Sequence, residues 1–271
     1  MNALAGVGEG AREGTPVRYR ATVEYDGTDF SGFQLQPEAR TVQGELEDAL
    51  ARLSNGERRR VDGAGRTDAG VHASGQVIAF TYQGRLSAER LLDAINGMLP
   101  RDVAIRDLRR APKGFHPRFA ARYREYRYTI LNGPRSPLLE RTTLLVRTPL
   151  DTAAMARAGS VFIGRHDFSA FGGAIGNPVR TVHAVRVRRA GALVTIDVRA
   201  DAFLRGMVRR MVAALLEVGK GRMDATGVAA ALADTRPALA GAAAPARGLC
   251  LRHVALGRRR RRNENGDNEE R

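Results

Sequence analysis

The sequence lacks several features that would point to particular classes of protein. Its 271 residues include a single cysteine, Cys250, which excludes an internal disulfide and favours a cytoplasmic location. No apolar run approaches the roughly 20 residues that span a bilayer, so the sequence argues against a membrane protein. Residues 1–16 have no apolar central segment and are predicted to form a disordered leader rather than a signal peptide.

Motifs of cofactor and metal enzymes are also missing. The five histidines show no metal-ligand spacing, and one cysteine adds nothing to them. There is no G-x-G-x-x-G or Gly-Lys-Ser/Thr motif for a nucleotide phosphate, and no G-x-S-x-G motif for a nucleophilic serine. We therefore expect neither a metal nor an organic cofactor.

Positive charge is what the sequence has in excess. Lys and Arg total 44 against 29 Asp and Glu, which gives a net charge of +15 and a pI near 11.2. Nearly all the cations are arginine, which binds phosphate through paired hydrogen bonds and stacks on bases, so RNA is the expected partner. An arginine-rich genome is the alternative explanation. Residues 258–271 begin with five arginines and are predicted to be a disordered tail; the remaining chain stays basic without them.

The first half of the chain shows strand and helix patterns in the order β-α-β-β-α-β. Residues 17–25 alternate between apolar and polar side chains, as a half-buried strand does. Thr41 and Ser87 each precede helical apolar spacing and are the expected caps of helices that end near Leu53 and Leu99. Further strands are predicted at 59–61, 76–82 and 103–108. This order is the split β-α-β plan.

The second half repeats a similar plan. Strands are predicted at 123–131, 144–147, 182–188, 193–198 and 249–256, and helices at 151–162, 203–218 and 228–232. No flexible linker separates the halves, which we place at 17–112 and 113–257. We therefore expect an α+β fold in which both halves share one continuous sheet, with a ligand cleft between them.

Residues 63–72 are the densest stretch of candidate chemistry. Three glycines bend the backbone there, and Arg66, Thr67 and Asp68 lie between them. A carboxylate next to an arginine fits a nucleophile or a general base, because the neighbouring charge keeps it ionised. A structural Arg66–Asp68 pair in a tight loop explains the spacing equally well. His72 is a candidate base, although a histidine on such a loop is more often structural.

The segment Gly65–His72, with the sequence GRTDAGVH, closely resembles the active-site motif of the tRNA pseudouridine synthase A family. Other segments are similar to that family and occur in its order. They are EYDG at 24–27, FQ at 33–34, FHPRF at 115–119, REYRY at 124–128, HDFSAF at 166–171, RT at 180–181, MVR at 207–209 and GLCL at 248–251. The resemblance covers roughly residues 18–256. Phe33, Pro117 and the Gly-rich loop at 172–177 depart from the expected pattern and bear on how RNA is positioned.

This resemblance implies a fold, an activity and partners. The fold would consist of two RRM-like halves sharing a mixed sheet, with the active site in a central cleft. The activity would be the isomerisation of uridine to pseudouridine at positions 38, 39 and 40 of the tRNA anticodon stem-loop, without a cofactor. The enzyme would be a homodimer in which one tRNA touches both subunits.

The same resemblance assigns roles to five residues. Asp68 corresponds to the nucleophile, and Arg66 to the arginine that pairs with it and holds the space of the everted base. Tyr126 corresponds to the ring that stacks on the target uracil, and Arg209 to a second arginine that pairs with the carboxylate. Leu249 corresponds to an apolar residue packed on the base. The residues alone favour plain core positions for Tyr126 and Leu249.

Several alternatives remain open from the sequence. Asp68 could add to the sugar, add to the uracil ring, or remove a proton to give a glycal. A non-catalytic RNA-binding or folding module is a second function, although the intact Arg66–Asp68 segment argues against it. A third is an N-glycosidase or hydrolase that uses a carboxylate and water.

Overall fold

The structure of the protein is a computed structural model that describes residues 15–172, 176–234 and 243–257. The expected tail, nearly all of the expected leader and the middle of the 172–177 loop lie outside these residues. The strands are β1 (Val17–Tyr25), β2 (Asp62–Gly63), β3 (His72–Tyr82), β4 (Val103–Arg110), β5 (Ala121–Leu131), β6 (Leu144–Leu145), β7 (Gly164–Asp167), β8 (Val179–Ala190), β9 (Leu193–Ala200) and β10 (Leu249–Leu256). The helices are α1 (Val42–Leu53), α2 (Ala88–Met98), α3 (Pro117–Ala120), α4 (Thr152–Ser160), α5 (Met207–Gly219) and α6 (Ala225–Ala233).

Three of the helices begin at the caps that the sequence predicts. The side chain of Thr41 accepts a hydrogen bond from the Gly44 amide at the start of α1. Ser87 does the same for α2, and Asp151 for α4, because a side-chain oxygen satisfies an amide that has no partner inside the helix. The capped helices present apolar residues to the sheet, and the buried side chains of both halves form one hydrophobic core.

The strands of the described residues form one mixed sheet with the order β4-β1-β3-β10-β5-β9-β8-β7. β2 pairs with β3 and β6 with β5 at the side of this path. Without the short strands β6 and β7, each half has four strands, and the fourth lies next to the first, then the third, then the second: β4-β1-β3-β2 and β10-β5-β9-β8. The expected repetition of one plan in one continuous α+β sheet is therefore confirmed.

The two halves of the sheet meet where β10 pairs with β3 in parallel. Cys250 lies opposite His72, and Leu251 lies opposite Ala73. β3 begins at His72, four residues earlier than the sequence prediction of 76–82, because its first residues pair with β10 rather than only with β1. Residues 63–71, which we call the Gly-rich loop, therefore lead directly into the sheet at the junction of the two halves.

The start of α5 corrects a second prediction. Apolar spacing placed this helix from residue 203, but it begins at Met207. Gly206 precedes it with φ of +70°, a left-handed conformation that does not continue a right-handed helix. Phe203 and Arg205 therefore lie in a non-helical connection between β9 and α5, which we call the 201–206 segment.

Two other local differences are smaller. β2 covers Asp62–Gly63 rather than 59–61, and the edge strand β7 was not predicted. β7 is short and alternates between exposed and half-buried residues, so it has no apolar pattern for a sequence to reveal. No helix among the described residues is both long and apolar enough to cross a membrane.

Candidate active site

The Gly-rich loop, residues 63–71, is fixed to the first half of the chain by backbone hydrogen bonds. The Phe33 amide donates to the Thr67 carbonyl at 3.1 Å, and the Gly70 amide donates to the Phe30 carbonyl at 3.2 Å. The Ala64 amide donates to the Val77 carbonyl at 2.8 Å. These bonds hold the loop before, at and after Asp68.

Two buried side chains add to these anchors. The hydroxyls of Tyr25 and Thr67 are 2.8 Å apart, and the Gln76 amide nitrogen donates to the Gly65 carbonyl at 2.7 Å. The Gln76 side-chain oxygen is buried and has no hydrogen-bond partner among the described residues. Tyr25, Thr67 and Gln76 therefore hold the loop from beneath, and Gln76 has one acceptor left over.

Glycine allows other backbone to approach this loop closely. A Cβ at Gly27 would lie 2.1 Å from the Val71 carbonyl oxygen, and one at Gly32 would lie 2.8 Å from the Thr67 carbonyl oxygen. Gly32 also has φ of +100°, which favours glycine. The loop position therefore depends on two glycines outside it, one of which belongs to the EYDG segment.

Asp68 is reachable from solvent and lies next to an arginine that the sequence did not point to. Its side chain is 30% exposed, and one carboxylate oxygen is 3.8 Å from Nε of Arg205, whose side chain is 88% exposed. Arg66 is exposed and forms no ion pair with Asp68 in this structure. Arg209 instead donates from Nε to the Ala244 carbonyl at 2.6 Å. In this structure the arginine next to Asp68 is therefore Arg205 of the 201–206 segment, at 3.8 Å, and not Arg66 or Arg209. The roles expected for Arg66 and Arg209 stay predictions.

Tyr126 lies in the sheet close to Asp68 but is covered. The residue is 7% exposed, and the ring of Phe203 packs edge-on against it with centroids 5.1 Å apart. Burial, opposed by Arg124 and reinforced by the charge of Asp68, raises the pKa of Tyr126 well above its ordinary value of 10.0. Tyr126 is therefore largely covered by protein, and a base can stack on it only if side chains around it, such as Phe203, move.

Leu249 is a buried residue at the start of β10. It lies opposite Tyr128 in the β10–β5 register, whereas Leu251 lies opposite Tyr126. Leu249 is thus two residues along β10 from the residue opposite Tyr126. Because side chains alternate along a strand, Leu249 and Leu251 lie on the same face of the sheet.

Arg124 connects three parts of the site. Its guanidinium donates to the Ala64 carbonyl at 2.5 and 3.2 Å, to the Asp201 carbonyl at 2.8 Å and to the Arg118 carbonyl at 3.4 Å. One side chain of the second half therefore ties together the start of the Gly-rich loop, the 201–206 segment and α3. Its place in the REYRY segment gives no hint of this, because the Ala64 and Asp201 carbonyls lie 60 and 77 residues away in sequence.

His72 has a structural environment. Its Nδ1 accepts from the Gly27 amide at 3.0 Å, and its Nε2 lies 3.0 Å from the Arg247 carbonyl. Nδ1 also lies 3.1 Å from a carboxylate oxygen of Asp26. Both ring nitrogens are thus engaged, which favours the structural reading of His72 over that of a base.

No predicted site residue lines the cavities next to the strands. A cavity of about 380 Å³ opens between β1, β3 and β10, lined by residues that include Arg20, Asp107 and His253. The described residues also contain no group of three or more His, Cys, Asp or Glu side chains placed to hold a metal ion. Among the candidate residues, Asp68 and Arg205 form one neighbouring pair, and Tyr126 and Phe203 form another.

The fold and the loop define an α+β protein with two RRM-like halves in one sheet and an accessible carboxylate where they meet. A family model described as tRNA pseudouridine synthase matches residues 21–120 and 158–255. Because that match covers well over half of the sequence, the chain belongs to the tRNA pseudouridine synthase family. The family is one of isomerases.

Curated relatives with the name tRNA pseudouridine synthase A agree over most of the chain. The protein of Roseiflexus castenholzii is 48% identical over 239 residues, which are 86% of this chain and 88% of that one. The protein of Moorella thermoacetica is 45% identical, with 87% and 98% covered. The protein of Halalkalibacterium halodurans is 42% identical, with 84% and 88% covered.

Proposed function

We propose that this protein converts uridine to pseudouridine at positions 38, 39 and 40 of the tRNA anticodon stem-loop, with Asp68 as the nucleophile. The observation that carries the proposal is a solvent-accessible carboxylate beside a guanidinium, on a loop whose backbone is fixed on both sides of it. The family and the net charge of +15 support a tRNA substrate. The intact GRTDAGVH segment supports catalysis rather than binding alone.

The reaction breaks the bond between ribose C1′ and uracil N1, turns the uracil and forms a bond from C1′ to uracil C5. C5 gives up its proton and N1 gains one, so the product is an isomer of the substrate. The reaction is an isomerisation, so electrons balance without a redox partner. A base inside a stem is out of reach of Asp68, and the nucleotide must be everted at a cost of a few kcal/mol. Arginine contacts to phosphate offset that cost and make binding sensitive to salt.

The five expected site residues have distinct places in this proposal. Asp68 attacks, and Arg66, exposed and without an ion pair to Asp68, is free to occupy the space that the everted base leaves. Tyr126 stacks on the uracil after Phe203 swings away. Arg209 is bonded to the Ala244 carbonyl in the free protein and turns to the carboxylate when RNA binds. Leu249 supports the layer beneath the base.

Replacement of Asp68 tests the nucleophile directly. Asp68→Asn keeps the size of the side chain but removes the charge, so tRNA affinity should persist while turnover falls by at least about 10³-fold. Tritium release from tRNA labelled at uracil C5 measures the reaction. Asp107→Asn, a partly exposed carboxylate on β4, is the matched control. Turnover near wild type in Asp68→Asn would remove Asp68 from this role.

Product analysis separates this reaction from the alternatives. Pseudouridine has the mass of uridine, so digested tRNA should show no change in total mass and no free uracil. Free uracil or a cleaved chain would indicate a glycosidase or hydrolase. In tRNA from cells without this protein, pseudouridine should be missing at positions 38, 39 and 40. If it is still present there and missing elsewhere, these positions are excluded as the targets.

We also propose that the protein is a cytoplasmic homodimer. The single cysteine supports the compartment, and the family resemblance supports the dimer. Sedimentation of the full chain without RNA should give twice the 29.4 kDa mass of one chain. A monomer at micromolar concentration would contradict the second part.

A further inference from the structure

Two aromatic side chains of the FHPRF segment form an exposed pair beside the site. Phe119 is 59% exposed, the second most exposed of the large apolar side chains described. The ring of His116 lies 4.6 Å from it, with an angle of 42° between the ring planes. A single exposed apolar residue is ordinary, but here a second ring, that of the half-exposed His116, lies directly beside it and enlarges the aromatic surface.

The backbone holds this pair in a fixed position. His116 caps the one-turn helix α3 by accepting from the Arg118 amide at 3.3 Å through Nδ1. The Phe119 and Ala120 amides both donate to the His116 carbonyl, at 3.2 and 3.0 Å. Pro117 between them is buried and has a fixed φ. Little conformational entropy is therefore lost when a ligand binds to the rings.

Hydrogen bonds of Arg124 place the pair next to the Gly-rich loop. The same guanidinium reaches the Arg118 carbonyl of α3, the Ala64 carbonyl and the Asp201 carbonyl. α3 thus borders the start of the loop that carries Asp68 and the segment that carries Arg205.

The charges around the rings match a polyanion. Nε2 of His116 is 3.8 Å from an Asp62 carboxylate oxygen that also pairs with Arg60 at 3.3 Å, while Arg18 binds the other oxygen at 2.6 Å. The side chain of Arg60 and the residue Arg118 are both exposed. Aromatic rings flanked by cations are the usual composition of sites for unpaired nucleic acid.

We propose that His116 and Phe119 form a stacking platform for an unpaired nucleobase of the tRNA loop, next to the nucleotide that enters the Asp68 site. This inference rests on the proposed function, because it takes its ligand from the same RNA. The flanking arginines hold the phosphates on either side of the stacked base. An apolar protein partner fits the surface less well, because cations border the rings.

Tryptophan fluorescence tests the contact itself. The chain contains no tryptophan, so Phe119→Trp introduces a single fluorophore at the platform. Saturating tRNA should quench its emission, because stacked bases quench indole. Ile163→Trp is the control, at a partly exposed apolar residue just before the edge strand β7. Unchanged emission from Phe119→Trp, or equal quenching at both positions, would overturn the proposal.

Binding measurements test the contribution of the ring. Phe119→Ala should raise the Kd for tRNA by roughly 5- to 100-fold, and Phe119→Tyr should restore it, because base stacking needs an aromatic face. Phe119→Leu should stay weak although it remains apolar. Leu138→Ala, which removes the 94% exposed side chain of Leu138, should leave the Kd unchanged.

The outcomes distinguish this platform from the reaction. A wild-type protein that binds tRNA without forming pseudouridine would refute the proposed function and leave the platform standing. Equal Kd values for wild type and Phe119→Ala would refute the platform and leave the function standing. A third outcome is that Phe119→Ala alters the sedimentation of the protein without RNA but leaves the Kd for tRNA unchanged. The rings would then form a protein interface, and the proposal would be overturned.

Discussion

The Gly-rich loop, which carries Asp68, and the 201–206 segment next to it are held in different ways. The loop is fixed by backbone hydrogen bonds, by the Tyr25–Thr67 contact and by glycines that let other strands touch it. The 201–206 segment is fixed at its beginning, where Arg124 binds the Asp201 carbonyl, but Arg205 near its end is 88% exposed. The backbone around Asp68 is therefore held on both sides, whereas the side chain of its nearest cation is open to solvent.

This difference fits the separate tasks of the two segments. A reacting group gains from being held within about half an ångström of its working position. A cation next to the reacting group has to move when the nucleotide enters. An exposed arginine does so at low energetic cost, because a surface ion pair contributes little to the free energy of folding. Substitutions in the loop should thus lower stability and activity together, and those in the segment should affect activity alone.

The largest effect is expected for Gly27→Ala. The new methyl group would lie 2.1 Å from the Val71 carbonyl oxygen, so the loop must shift. We expect a loss of about 1–3 kcal/mol in the free energy of unfolding, with a fall in turnover, measured by thermal unfolding and tritium release. Gly97→Ala in α2, where nothing lies within 4 Å, should be neutral or stabilising. Equal melting temperatures for both variants would contradict a tightly held loop.

A smaller effect is expected for Tyr25→Phe. It removes the 2.8 Å contact with Thr67 and leaves a buried hydroxyl without its partner, which should cost about 1–2 kcal/mol near neutral pH. Urea unfolding measures this cost. Tyr82→Phe, which removes a tyrosine hydroxyl outside the loop, is the control. A Tyr25→Phe protein as stable as wild type would show that the hydroxyl pair does not support the loop.

The same tyrosine gives a pH dependence. Burial, opposed by the hydrogen bond with Thr67, raises the pKa of Tyr25 well above its ordinary 10.0. A raised pKa in the folded state means that stability is fully present below pH 10 and is lost as the pH rises further, since the unfolded chain ionises first. Tyr25→Phe should therefore show a shallower alkaline loss than wild type. An identical slope would assign the loss to other tyrosines.

The smallest effect on stability is expected for Arg205→Ala. The ion pair with Asp68 is solvent-exposed, so the free energy of unfolding should change by less than about 0.5 kcal/mol. Turnover should fall by about 3- to 10-fold because the carboxylate loses its nearest cation. Arg188→Ala, an exposed arginine on β8, is the control for charge alone. If the two variants lose the same activity, the contact with Asp68 has no specific role.

Sequence patterns predicted most of the fold because burial in this chain follows regular periods. β1 alternates, and the capped helices carry apolar residues at helical spacing. The start of α5 was wrong because Phe203 and Leu204 continue that spacing into a segment where Gly206 turns the backbone left-handed. Periodicity records which residues are apolar, and it does not record where a backbone dihedral changes sign. The division of the chain at residues 112 and 113 stays a prediction.

The site was predictable in part. Asp68 stands out through its glycines and its arginine neighbour, and the structure places it at the junction of the halves. Arg66 lies near it in sequence, but its side chain is exposed and forms no ion pair with Asp68 in this structure. Arg205 and Phe203 carry no local signal, since they reach Asp68 and Tyr126 through the tertiary fold. Their contacts require knowledge of how β9 and α5 sit against the Gly-rich loop.

The position of β10 has a consequence for how the protein is made. This strand lies between β3 and β5 and joins the two halves of the sheet, yet the ribosome produces it after the other nine strands. Until residues 249–256 emerge, the nascent chain exposes unpaired edges of β3 and β5, which are surfaces prone to mispairing. The place where the two halves meet therefore cannot assemble until residues 249–256 have been synthesised.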